Sequence, residues 1–304
     1  MSGRSMGTTW SLRLDNRAML PTDDVRAAVT GALDRVVAQM STWDASSDIS
    51  RFNLAPAGSV HAVPPAFAQV LACALRWAAA SGGAFDPSAG ALVALWGFGA
   101  HARSAPGLPD AAALAAARAR SGWQRLAFEP SARSVVQPGG LWLDFSGIAK
   151  GFAVDLIAAA LQAQGIADFL IEVGGELRGC GRRPGGTAWQ VQIDAGHDEP
   201  LRCALADTAI ATSGDRWHVR DGDGRRWAHA IDPRSGEPVR HALTSVSVLH
   251  ASCMEADALA TALTVLGPEE GLAFARAHGI AALFACREAH AIRLLRSDAW
   301  PAVP

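Results

Sequence analysis

Two hydrophobic periods share this chain, and they do not alternate. Val25, Val29, Leu33, Val36, Val37 and Met40 keep helical spacing after a capping Thr22, and predict a first helix. Phe67, Val70, Leu71, Ala74, Leu75 and Ala78 predict a second, opened after Pro64-Pro65 and stopped by Ser81-Gly82-Gly83. An Ala-rich third spans about 109–120, and a fourth runs from about 148 to 165. Strand patterns fall at 8–14, near Leu126 and Val135, and at 141–145 and 169–173. They then accumulate at 189–193, 209–212, 227–231 and 244–249. Two helices follow, 256–266 and 268–278, and a hairpin pairs 282–286 with 291–295. Strict strand–helix alternation would predict a doubly wound parallel sheet. Runs of each kind predict an α+β fold, with mixed sheets packed against helices.

With 304 residues there is room for two domains. The best boundary is the loop at 100–109, which lacks the composition of a free linker, so one compact unit over 1–304 with two lobes is expected. Half of the residues are apolar and 18% are charged, which supplies a core and excludes wholesale disorder. Basic residues number 27 and acidic ones 29, so no general basic field attracts nucleic acid. Arg, Asp or Gly interrupts every apolar stretch before the roughly eighteen residues of a transmembrane segment. The opening MSGRSMGTTWSLRL has no apolar signal core, so the chain as given reads as cytoplasmic, and as periplasmic if a leader precedes Met1. Five cysteines without a CxxC pair predict small core residues rather than disulfides or a zinc site.

All but one of the basic residues are arginine; the exception is Lys150. A chain that uses Arg wherever either cation serves retains a lysine where a compact ammonium is needed, or by chance on a helix surface. Lys150 lies in LDFSGIAKG, where a strand turns at Ser146-Gly147 into a helix and offers free N–H groups to an anion. The run VGGEL, with Gly174-Gly175, reads either as a place of close approach or as a tight turn. In HAIDPRSGEP, His229 is a candidate general base and Asp232 a turn cap. Asp257 and Thr261 stand four apart on a helix, one face and one turn apart, at positions expected to be half exposed. A carboxylate plus a hydroxyl suits Mg²⁺, or is simply a cap with Thr bonded back to the preceding turn. MGTTW, MSTWD, GAFDP and LWGFG combine aromatic or Met side chains with glycine, which suits either a slot for a planar ring or core packing.

Taken in order, MGTTW, MSTWDASSDISRFN, GAFDPSAGALVALWGFG, LDFSGIAKGFAVD, VGGEL, ATSGD, HAIDPRSGEPV and EADALATALTVLG resemble the FAD:protein FMN transferases, or ApbE-like flavin transferases. The resemblance covers residues 6 to about 267 and implies the ApbE-like, T-fold-related architecture. It also implies an enzyme that splits the FAD pyrophosphate, esterifies FMN to a Thr or Ser of an acceptor protein and releases AMP. The family's Mg²⁺ ligands map onto the Gly147 carbonyl and the Asp257 and Thr261 side chains. Its flavin contacts map onto Met6, Trp43, Ala84, Phe85, Asp86, Asp144 and Lys150, and its reactive histidine onto His229. Acceptors of the family carry Ser/Thr-Gly-Ala-Ser/Thr; the nearest stretch here, Thr30-Gly31-Ala32-Leu33, lacks the last hydroxyl. Position 43 is often Tyr in the family, so Trp43 keeps a stacking ring and loses a phenol. The same residues would serve an Mg²⁺-dependent FAD pyrophosphatase with water as acceptor, and the aromatic slot alone would serve a non-catalytic flavin-binding protein.

Overall fold

The computed structural model describes residues 1–17, 19–102, 107–195, 201–214, 219–222, 224–289 and 291–301. Two compact units emerge. The first joins Met1–Val36, Gly147–Ser213 and Ala242–Pro304, and the second joins Val37–Ser146 and Gly214–His241. The Thr22–Met40 helix crosses the division. The 100–109 stretch lies inside the second unit, with 103–106 outside the described residues.

An eight-stranded sheet forms the first unit, in the order Ser2–Ser5, Thr8–Leu14, Phe169–Val173, Glu176–Cys180, Thr208–Gly214, Leu243–His250, Ala281–Arg287 and Ile292–Arg296. Every pairing with a described register is antiparallel. Strand side chains alternate between faces, and here both faces are covered. Leu170, Ile210 and Leu283 pack under the Trp189–Ile193 and Leu201–Leu205 hairpin, with Trp189, Val191, Cys203 and Leu205. The helices Ala149–Ala163 and Cys253–Ala277 pack on each other and on the sheet. Burial on two sides explains why Phe169–Val173 reads as an apolar run rather than as an alternation. The Cys253–Ala277 element is two helices, as the spacing predicts. Gly267 takes φ 81° there, and Pro268 has no N–H to continue the ladder.

Helices Asp48–Leu54, Pro65–Ala80, Gly90–Leu95 and Ala111–Ala119 build the second unit. A small antiparallel sheet accompanies them, in the order Val60–Ala62, Ser134–Val136, Ala127–Glu129. Phe52, Phe67, Leu71, Leu92, Leu141, Leu143 and Phe145 are fully buried, each burial contributing roughly 1.5–3 kcal/mol. A second cluster joins Leu92, Trp96 and Ile231, and Trp96 Nε1 donates to the Gly236 carbonyl at 2.7 Å.

Two expected strands differ. Residues 141–145 form no strand; they carry an isolated bridge between Ala89 and Trp142 and single backbone bonds to Arg120 and Pro87. Buried side-chain amides supply the missing ladder. Asn53 brackets Leu143, donating to its carbonyl at 2.9 Å and accepting its N–H at 2.7 Å. Gln137 does the same to Leu141 at 3.1 Å both ways. The expected strand at 227–231 is broken. One hairpin, Val219–Gly222 with Arg225–Ala228, ends before His229, and another pairs Ile231–Asp232 with Glu237–Pro238. His229 therefore sits in the bend between two hairpins rather than on a strand face. All five cysteines are buried and none forms a disulfide. Among the described residues no helix is long and apolar enough to cross a membrane.

Candidate functional site

Gly147 begins the first unit's central segment, just ahead of the Ala149–Ala163 helix, which crosses the start of Cys253–Ala277. Glycine makes that crossing possible. A Cβ on Gly151 would stand 2.3 Å from the Cys253 carbonyl oxygen and 2.7 Å from Asp257 Cβ. The helix has no side-chain cap at Ile148; instead Asp257 Oδ2 accepts the Gly151 N–H at 2.9 Å. A carboxylate from the second helix thus satisfies an orphan amide at the positive end of the first. One turn on, Thr261 Oγ1 lies 3.5 Å from the Gly147 carbonyl oxygen and 3.3 Å from Ser213 Oγ. A Cβ on Gly147 would meet Thr261 Oγ1 at 2.8 Å. The structure therefore brings Gly147, Asp257 and Thr261 to one place. Asp257 is not half exposed as its helical position predicts; it is 2% exposed, because its face is the one that packs in the crossing.

Lys150 leaves the same helix, and its Nζ lies 2.5 Å from Glu176 Oε1. Glu176 is 2% exposed, and its other oxygen, Oε2, has no hydrogen-bond partner among the described residues. Burial pushes the Glu176 carboxyl up to about 8, against the pull of the Lys150 ammonium. Burial likewise raises Asp257, although Lys150 and the Gly151 N–H oppose it. For Lys150 burial works downward, but Glu176 and Asp257 outweigh it and hold the ammonium protonated. One cation thus faces two buried carboxylates. Gly174-Gly175 is the tight turn of the Phe169–Val173/Glu176–Cys180 hairpin, at φ 61° and 103°. Gly174 is also a place of close approach, since a Cβ there would meet Thr8 Cγ2 at 2.9 Å and Lys150 Cδ at 3.1 Å. Met6 forms the first unit's opening turn with Gly7, at φ 51° and 73°.

The second unit holds the other predicted residues. Trp43 is 77% exposed in the turn after the first helix. Ala84 and Phe85 are core side chains, so only their backbone is available to a ligand. Asp86 accepts from Ser88 N and Oγ at 2.7 and 2.6 Å and from Trp123 N at 3.2 Å. Burial raises its carboxyl against those bonds. Asp144 is half-buried and accepts the Ser146 N–H at 2.7 Å. It lines a small cleft with Phe98, His101 and Trp142, in which the His101 and Trp142 rings stack at 4.7 Å. His229 is half-buried, edge-on to Phe98 at 6.2 Å. Asp232 caps its turn through the Arg234 N–H at 2.9 Å, as expected.

Sequence reasoning passed over Glu176, Ser213 and the His101–Trp142 stack. Glu176 had a signal: a glutamate is rarely buried without a cation, and the chain offers one lysine. Among the described residues no group of three His, Cys, Asp or Glu side chains gathers as a metal cage. The donors present at the crossing are hard oxygens: a carbonyl, a carboxylate and a hydroxyl. That set fits a small divalent cation.

The ApbE family profile matches residues 6–284. A Vibrio cholerae protein named FAD:protein FMN transferase is 38% identical over 288 residues, 93% of this chain and 86% of the relative. Its Escherichia coli K12 namesake is 32% identical over 295 residues, 95% and 84% of the two chains. The apo crystal structure of Pseudomonas stutzeri flavinyl transferase ApbE superposes with a TM-score of 0.91 at 37% identity, over 98% of this chain and 94% of that one. The Vibrio cholerae flavin transferase ApbE structure gives 0.90 at 35% identity, over 99% and 97%. The fold is that of these transferases, and the chain belongs to the ApbE family.

Proposed function

We propose that this chain is an Mg²⁺-dependent FAD:protein FMN transferase. One observation carries the reading: in a chain of this family, Gly147 meets Asp257 and Thr261, more than a hundred positions away, at one helix crossing. Mg²⁺ held by the Gly147 carbonyl, the Asp257 carboxylate and the Thr261 hydroxyl would neutralise charge on the FAD pyrophosphate, the dominant need in phosphoryl transfer. Lys150 presents its ammonium to a phosphate oxygen as a compact point charge. The His229 imidazole accepts the proton of the acceptor's Ser or Thr hydroxyl as that oxygen bonds to the FMN-side phosphorus. The bond from that phosphorus to the bridging oxygen breaks, and AMP leaves with the oxygen. Trp43 offers a stacking ring, Met6 and Asp144 further flavin contacts, and the stretch from Ala84 to Asp86 its backbone.

The test is incubation with FAD and Mg²⁺, with and without an acceptor carrying Ser/Thr-Gly-Ala-Ser/Thr. Acid-stable flavin fluorescence on the acceptor, with AMP released, is the expected result. Free FMN and AMP at the same rate with or without acceptor would make the chain an FAD pyrophosphatase. FAD that binds and stays intact would make it a flavin-binding protein.

A further inference from the structure

Lys150 is the chain's only lysine, and it does not extend freely from its helix. Its Nζ is bonded to Glu176 at 2.5 Å, and its stem passes beside Gly174, where a Cβ would meet Cδ at 3.1 Å. Glu176 is itself fixed. It is 2% exposed and opens the second strand of a two-residue hairpin, paired with Val173 in the middle of the eight-stranded sheet. The Lys150 side chain as a whole keeps 30% exposure, against 3% for that of Glu176. A long, flexible side chain is thus ordered by folding rather than by ligand binding. A buried carboxylate could also be retained only to neutralise a lysine. The open turn in front of it, where a Cβ on Gly175 would meet nothing within 4 Å, and the partly exposed lysine side chain do not fit that purpose alone.

We infer that Glu176 is a positioning residue of the transfer reaction, holding the Lys150 ammonium at the point where an FAD phosphate oxygen meets it. This rests on the proposed reading of Lys150 as an FAD contact. A charge already in place needs no reorganisation as negative charge develops on the phosphates. Glu176 acts through Lys150, so its effect disappears when Lys150 is gone.

The experiment is a double-mutant cycle on the full chain with Glu176→Gln, Lys150→Ala and the double variant. Melting temperature, FAD affinity and single-turnover FMN transfer to an acceptor are measured on each. Glu176→Gln should slow transfer about 10-fold or more while FAD affinity changes less than about 3-fold, and should add nothing in the Lys150→Ala background. A lower melting temperature with wild-type transfer per folded molecule would reduce Glu176 to a structural counter-ion and overturn the inference. Equal, additive losses in both backgrounds would overturn it as well. Wild-type FAD affinity and transfer in Lys150→Ala would instead remove the underlying reading of Lys150. If Glu176→Gln does not fold, Glu176→Asp replaces it, keeping the charge and retracting the carboxylate by one methylene. Slowed transfer there supports positioning, and wild-type transfer overturns it.

Discussion

The two units treat their polar residues differently. In the first, Asp257, Glu176 and Lys150 are held by each other and by a helix crossing, and both carboxylates are 2% exposed. In the second, Trp43 is 77% exposed, and His229 and Asp144 are half-buried in loops. Chemistry and packing share the same contacts in the first unit and are largely separate in the second. Replacements in the first should therefore disturb stability together with turnover, while those at Trp43, His229 and Asp144 in the second should disturb turnover or affinity alone.

His229→Ala probes the second unit and should have the largest effect, a loss of transfer of about 10²–10⁴-fold, the usual contribution of a general base. Melting temperature and FAD affinity should hold, because the residue lies in a bend outside the core clusters. A destabilised variant with intact transfer per folded molecule would erase the contrast between the units. Gly151→Ala probes the first. Helix propensity favours Ala by about 1 kcal/mol, but the new Cβ would lie 2.3 Å from a backbone oxygen that cannot move aside without its helix. Overpacking of about 1–3 kcal/mol should win, with a lower melting temperature and slower transfer. An unchanged melting temperature would mean that the crossing is looser than described. Trp43→Ala should have the smallest effect, about tenfold in FAD affinity from a lost stacking ring, with no change in stability. Isothermal titration with FAD measures it, and unchanged affinity would remove Trp43 from the flavin site.

How much of this was legible in the sequence follows the same division. Period and punctuation placed the long helices, and the Gly267-Pro268 break placed the joint between the last two. Spacing alone put Asp257 and Thr261 on one helical face. It could not show that the face is buried, because an inward and an outward carboxylate are spelled alike. Leu143 has no strand partner, and two of its bonds come from Asn53, 90 positions away, which no local pattern encodes. His229 was found as a residue and misplaced as a strand position, because Trp227 and Ile231 keep a period of two across a bend. Glu176 follows two glycines whose turn signal dominates VGGEL, and only the lone lysine's need of a partner points to it.

The central claim is that the oxygens at the helix crossing serve the cation while His229 serves the acceptor hydroxyl. The direct measurement is the Mg²⁺ concentration giving half-maximal FMN transfer in wild type, Asp257→Asn and His229→Ala. Asp257→Asn should raise it by about tenfold or more and restore much of the rate at high Mg²⁺. His229→Ala should lower the maximal rate and leave the half-maximal concentration where it was. An unchanged Mg²⁺ requirement in Asp257→Asn, or full wild-type transfer in EDTA, would contradict the account.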